Sequence, residues 1–233
     1  MTQTELLGVA ADIRHVMDLE RDNRQLTFVE ELHKYCLYDP INEKLVDNMP
    51  SVSSLLYNWC DKFDAERMSM IMCNQDEHKA AELRAEWEEK GRVASNVGSY
   101  AHYKLEQYVW SLFDIDKQTR KPEYTLSEDD FKEGLMMLEN GIDMIGNIIK
   151  AGFVPLDTEC IMGSIELGYF GQCDNLWLGF FKNQLVFLMT DYKTNLSKNF
   201  EVRHFNKPMN VPFGKLYDTE LSKYFLQQPL YAQ

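Results

Sequence analysis

The chain has 233 residues, 45% of them hydrophobic and 26% charged, with a formal net charge of −13. That length and apolar content support a substantial core, most simply in one large domain, and the acidity argues against a protein that coats nucleic acid through overall basicity. The N-terminus has neither a basic leader nor a long apolar block, and no run of apolar residues is long enough to span a bilayer, so the expectation is a soluble, cytoplasmic protein.

Leu6, Ala10, Ile13 and Met17 fall on one stripe of an opening helix, with Leu7 beside it. The stretch "QLTFVEELHKYCLYDPINEKLV" places β-prone residues on both sides of Asp39-Pro40, which predicts a hairpin, and Ser51 or Ser53 is positioned to cap a short helix after it. From Asp64 to Phe113 the pattern is helical, with an interruption expected at "NVGSY". A polar connection containing Pro122 leads to a further helix from Glu128 to Ala151, which Gly152 should stop. Beyond it, residues rich in aromatic and β-branched types and punctuated by Gly163, Gly168 and Gly171 predict three strands. A loop around Pro208 and Pro212 and a last helix, "DTELSKYFLQQPLYAQ", complete an α/β order. The five cysteines, Cys36, Cys60, Cys73, Cys160 and Cys173, are scattered without a C-x-x-C pair, so neither a disulfide framework nor a zinc or iron–sulfur site is expected.

The third predicted strand ends in "FLMTDYKTN", delivering Asp191 and Lys193 after an apolar run. The same acid-x-Lys pattern at Glu77 and Lys79, at Glu88 and Lys90, and at Asp130 and Lys132 lies in polar, helix-like surroundings and reads as solvated helix surface. A tight turn at Lys182-Asn183 between the second and third strands would set Asp174 directly across from Asp191, with Lys193 pointing the same way. Like charges opposed on a sheet destabilise it, so a divalent cation between the two carboxylates is the better explanation. A return at Glu166-Leu167 would add Glu159 opposite Asp174. On helices, His102 and Glu106 are four residues apart, as are Gln227 and Tyr231. Lys198, Arg203, His204, Lys207 and Lys215 form a basic interval in an acidic chain.

Taken in order, "GSYAHYKLE", "FGQCD", "DYK" and "QQPLY" resemble the motif set of the PD-(D/E)XK nuclease superfamily, in its RecB-like exonuclease branch. "HKYCLYDP" followed by "PSVSSLL" resembles the N-terminal part of its phage-type and viral members. The resemblance implies a restriction-endonuclease-like core over residues 90–233, with a central mixed sheet and flanking helices, and an N-terminal hairpin and helical region over residues 1–89. It also implies a further strand after the last helix, beyond Gln233. Residue by residue, it implies that Gly98 and His102 form the helix motif, that Asp174 and Asp191 bind metal, that Lys193 is the catalytic lysine, and that Gln227 and Tyr231 face substrate. Glu159 matches an acidic strand position of the branch.

The resulting expectation is a Mg²⁺- or Mn²⁺-dependent deoxyribonuclease, an exonuclease, with Asp174, Asp191, the Tyr192 carbonyl, His102 and Glu159 around the metal and Lys193 assisting the attacking water. Lys198, Arg203 and Lys207 would hold the backbone of a single strand or duplex end. The implied company is the replication, recombination or repair machinery, with no membrane partner. Three other readings use the same residues: a non-cleaving DNA-binding or protein-assembly module of the same fold, an acidic protein that takes a basic partner, and a hydrolase of another phosphoester.

Overall fold

The computed structural model describes residues 2–29, 34–117, 119, 121–193 and 207–232, and these divide into two compact units. One comprises Met1–Asp61 with Asn147–Gln233, the other Lys62–Gly146. The expected boundary after residue 89 falls inside a helix of the second unit.

The first unit begins with α1 (Gln3–Arg24), where Thr2 and Glu5 form a reciprocal capping box. β1 (Thr27–Val29), β2 (Lys34–Asp39) and β3 (Lys44–Pro50) follow as an antiparallel sheet, with the β2–β3 turn at Asp39-Pro40 as expected. Of the two candidate caps, Ser51 is the one used: its hydroxyl accepts from the Ser54 N–H at the start of α2 (Val52–Tyr57). Tyr35, Leu37 and Met49 of this sheet bury with Phe170 as one apolar cluster.

The predicted meander is present as β4 (Val154–Ser164), β5 (Tyr169–Phe181) and β6 (Gln184–Thr190), and α6 (Glu220–Tyr231) follows with Thr219 as its cap. Phe181 pairs with Gln184 across Lys182 and Asn183, whose φ angles of 49° and 63° are those a two-residue hairpin turn requires. At the other end, Ser164 pairs with Tyr169 around Gly168, whose φ of 78° costs glycine little. α1 packs against β4, and the Arg14 guanidinium donates to the Pro155 carbonyl at 2.9 Å.

The chain is mixed α and β, but the expected central mixed sheet is not formed among the described residues. Both three-stranded sheets are antiparallel, and a single parallel bridge, Ser51 to Phe170, connects the end of one hairpin with β5. The short connections between successive strands explain this, since parallel neighbours need a crossover of a dozen or more residues.

The second unit holds α3 (Ala65–Met72), α4 (Glu77–Ser111) and most of α5 (Glu128–Lys150). The helix break falls at Cys73–Asp76, where Asn74 and Gln75 take positive φ, and not at "NVGSY", which α4 crosses without interruption. A glycine inside a helix costs roughly 1 kcal/mol relative to alanine, and burial of Val97, Tyr100 and Ala101 beside Gly98 outweighs it. α5 stops before Gly152 as expected. No helix among the described residues is long and apolar enough to cross a membrane.

Gly171 of β5 lies under the Tyr231 ring of α6, and a methyl group there would overlap it. Gly171→Ala should therefore cost about 1–3 kcal/mol, the usual penalty for overpacking. The measurement is the urea midpoint; an unchanged midpoint would mean that α6 is not seated on β5 as described.

Candidate carboxylate site

The site grows from the register of β4, β5 and β6. Thr158 pairs with Asn175 and Cys160 with Cys173, so Glu159 and Asp174 occupy the intervening opposed positions. A carboxylate oxygen of Glu159 and one of Asp174 lie within 4.8 Å of one another. On the other side, Asn175 pairs with Thr190, the last residue of β6, so Asp191 is the next residue along, beside Asp174.

Local backbone conformation decides where these groups point. Glu159 has a φ of 49°, a left-handed conformation inside a strand that costs a non-glycine residue roughly 1–3 kcal/mol. It interrupts the alternation of side chains, so that Asp157 and Cys160 both reach Arg21 of α1: its guanidinium pairs with the buried Asp157 carboxylate and lies 3.7 Å from the Cys160 sulfur. Glu159 is thereby left to accept a hydrogen bond from the Gln172 side-chain amide across the strands.

Asp174 accepts from the Tyr192 backbone N–H, which ties the segment after β6 back to β5. Asp191 forms an ion pair with Lys193, its side chain 7% exposed against 26% for the lysine. The Lys193 ammonium also lies 4.6 Å from the centroid of the Tyr224 ring, a cation–π contact. One turn on, the Gln227 amide donates to the Tyr231 hydroxyl, and both residues are buried. Tyr224, Gln227 and Tyr231 thus form one stripe of α6.

Three tyrosine hydroxyls beside these groups are raised, first by burial and then by the nearby acidic groups. Burial and the Glu159 charge push the Tyr35 hydroxyl up to about 12. Tyr192 is raised by burial, with Asp174 and Glu159 adding to it. Tyr231 is raised by burial together with Asp191, Tyr35 and Cys173. The thiol of Cys173 is pushed up as well, first by its hydrogen bond with Cys160, then by burial, with Asp174 and Asp191 contributing. An arrangement of this kind attracts cations, and its oxygen donors suit a hard divalent ion.

Glu159, Asp174, Asp191, Tyr192, Lys193, Gln227 and Tyr231 all belong to the first unit. His102 lies half-buried on α4 in the second unit, one turn before the buried Leu105. Lys198, Arg203 and His204 lie outside the described residues. Lys207 is exposed and ion-paired with Asp61, and Lys215 is exposed. Sequence reasoning missed Gln172, Tyr35 and Tyr224. Gln172 was accessible in principle, being two residues before Asp174 on the same strand, and Tyr224 through its spacing from Gln227. Nothing in the local sequence distinguishes Tyr35 from an ordinary core aromatic.

Comparison of the chain with protein-family models, with curated proteins and with solved structures gives no match.

The tyrosine shifts set a direction for alkaline stability. A raised folded-state pKa adds stability that is complete below the unfolded value, roughly 10, and is lost as pH climbs through the folded value. Of the 12 tyrosines, Tyr35, Tyr192 and Tyr231 should therefore ionise only as the first unit unfolds, above pH 10. Tyrosinate absorbance followed together with circular dichroism tests this; complete ionisation near pH 10 with the fold intact would contradict the burial of these hydroxyls.

Proposed function

We propose that the chain is a metal-dependent nuclease of the RecB-like PD-(D/E)XK kind that hydrolyses DNA phosphodiester bonds as an exonuclease. One observation carries the reading: Glu159 and Asp174 bring carboxylate oxygens within 4.8 Å on adjacent strands, with the Asp191–Lys193 pair at the end of the next strand. The ordered motif set supplies the reaction class, and with it DNA as the substrate.

The donor set fits Mg²⁺ or Mn²⁺, which take carboxylate oxygens and, for Mg²⁺, sit about 2.0–2.1 Å from them. Glu159 and Asp174 would hold the ion, with Asp191 and the Tyr192 carbonyl as the remaining proposed donors. Bound there, the metal supplies Lewis acidity and a water of lowered pKa.

The chain's own groups do the rest. Gln172 orients Glu159 by donating to it, and the Tyr192 N–H does the same for Asp174. Lys193 is held between Asp191 and Tyr224, and its proposed part is to hydrogen-bond the attacking water and offset charge developing on the phosphate. Gln227 and Tyr231 form the wall of α6 beside these groups and are proposed to contact the strand.

End-labelled single- and double-stranded DNA incubated with Mg²⁺, Mn²⁺ or EDTA is the test. Cleavage should require the metal. Asp174→Asn and Lys193→Ala should each lower turnover by about 10²–10³-fold, the usual loss for one preorganised electrostatic group. DNA binding in EDTA should hold or tighten slightly for Asp174→Asn, because one carboxylate no longer repels phosphate. Cleavage that survives EDTA or the loss of Asp174 would remove the metal mechanism, and a folded protein that cleaves RNA but not DNA would reassign the substrate.

A further inference from the structure

Next to the carboxylates, the first unit contains a cavity of about 340 Å³ whose walls include Phe28, Tyr35, Tyr57, Ser53, Gln172 and Gln227. We propose that this cavity receives one unstacked nucleobase of the DNA strand cut at the adjacent site, an inference that rests on the nuclease reading.

Three observations lead there. The first is charge: none of the described residues lining the cavity carries one. A phosphate pocket in so acidic a protein would need lysine, arginine or a substantial helix N-terminus, whereas α2, which opens onto this cavity, has six residues. The neutral lining instead offers ring faces for stacking, and amides and hydroxyls for the polar edge of a base. The second is size. At about 340 Å³ the space lies at the low end of small-ligand pockets, about 300–1,000 Å³, which suits one nucleoside and not a duplex.

The third is position. Gln172 lines the cavity while its amide holds the Glu159 carboxylate, and Gln227 lines it while donating to the Tyr231 hydroxyl. A base seated there is thus separated from the proposed cutting site by single side chains. Among the aromatic walls, Tyr35 is buried and packed on Phe28, their ring centroids 4.8 Å apart, and serves as backing. Tyr57 is different. It is 58% exposed, and the Lys223 ammonium lies 5.1 Å from its ring centroid. Tyr57 is the ring we assign to stacking, with the Lys223 charge held nearby.

The experiment measures binding of short single-stranded DNA by fluorescence anisotropy in EDTA, so that no cleavage step enters. An abasic residue is placed at each position of the oligonucleotide in turn. The expected result is one position at which removing the base weakens binding to the wild-type chain about tenfold, within the range for a stacked base. Tyr57→Ala should weaken binding of the intact oligonucleotide by a similar factor and be indifferent to the abasic residue at that position, whereas Tyr57→Phe should behave as wild type. Because the ring is largely exposed, the unfolding midpoint of Tyr57→Ala should stay close to wild type. A flat abasic profile, or an affinity and profile unchanged in Tyr57→Ala, overturns the proposal. Metal-dependent cleavage by the same preparation is scored separately. Cleavage with a flat profile removes the pocket and keeps the nuclease; a Tyr57-dependent abasic minimum without cleavage keeps the pocket and removes the nuclease.

Discussion

The hairpin turn between β5 and β6 places Phe181 opposite Gln184, and every pairing down to Asn175 and Thr190 follows from that closure. Strand side chains alternate with a period of two, so a slip of one residue would send each of them to the other face. Lys182 and Asn183 both accept positive φ, and asparagine is one of the few non-glycine residues that does so readily. The far end of the sheet depends on this turn. Asp174 meets the Tyr192 N–H, and the Trp177 indole N–H reaches the Thr190 hydroxyl at 3.0 Å, only in this register. The β4–β5 return fixes the third strand in the same way, which is why Glu159 and Asp174 come to face each other.

Bringing carboxylates together costs free energy, and the surrounding groups can be read as partial compensation. Gln172 and the Tyr192 N–H donate to two of them, and Lys193 neutralises the third. The hydroxyls of Tyr35, Tyr192 and Tyr231 are raised first by their burial, and the nearby acidic groups add to that rise. The left-handed backbone at Glu159 adds a further cost that a purely structural strand would avoid by placing glycine there. Concentrated like charge and local strain in one place are the features on which the proposed cation site rests.

What was legible in the sequence was mostly local. The Asp39-Pro40 hairpin, the Ser51 cap, the stop at Gly152 and the turn at Lys182-Asn183 are each set by a few adjacent residues with strong conformational preferences. "NVGSY" misled because a glycine weakens a helix only modestly, and the buried face around it, made by Val97, Tyr100 and Ala101, is a tertiary property. The true break at Asn74 and Gln75 lacks both glycine and proline. The mixed sheet was an inference from resemblance and required crossovers that the short strand connections do not provide. In the site, the opposed carboxylates followed from turn geometry, whereas Tyr35 arrives from a hairpin more than 120 residues away in sequence from Glu159, and no local pattern links them.

The acidity of the chain bears on how an anionic strand would reach this site. With a net charge of −13, long-range attraction works against the approach of DNA, although at 0.15 M ionic strength charges farther than about 8 Å are largely screened. Short-range contacts must then supply the affinity, and a neutral cavity is well placed to do so because stacking is insensitive to the sign of the surrounding field. A divalent cation between Glu159 and Asp174 would reverse the local potential where the phosphate must sit, while leaving the rest of the surface acidic. In the proposed nuclease, seating of one base and local charge reversal by the ion would therefore be complementary: the first would hold the strand against net repulsion, and the second would admit the phosphate only at the carboxylates.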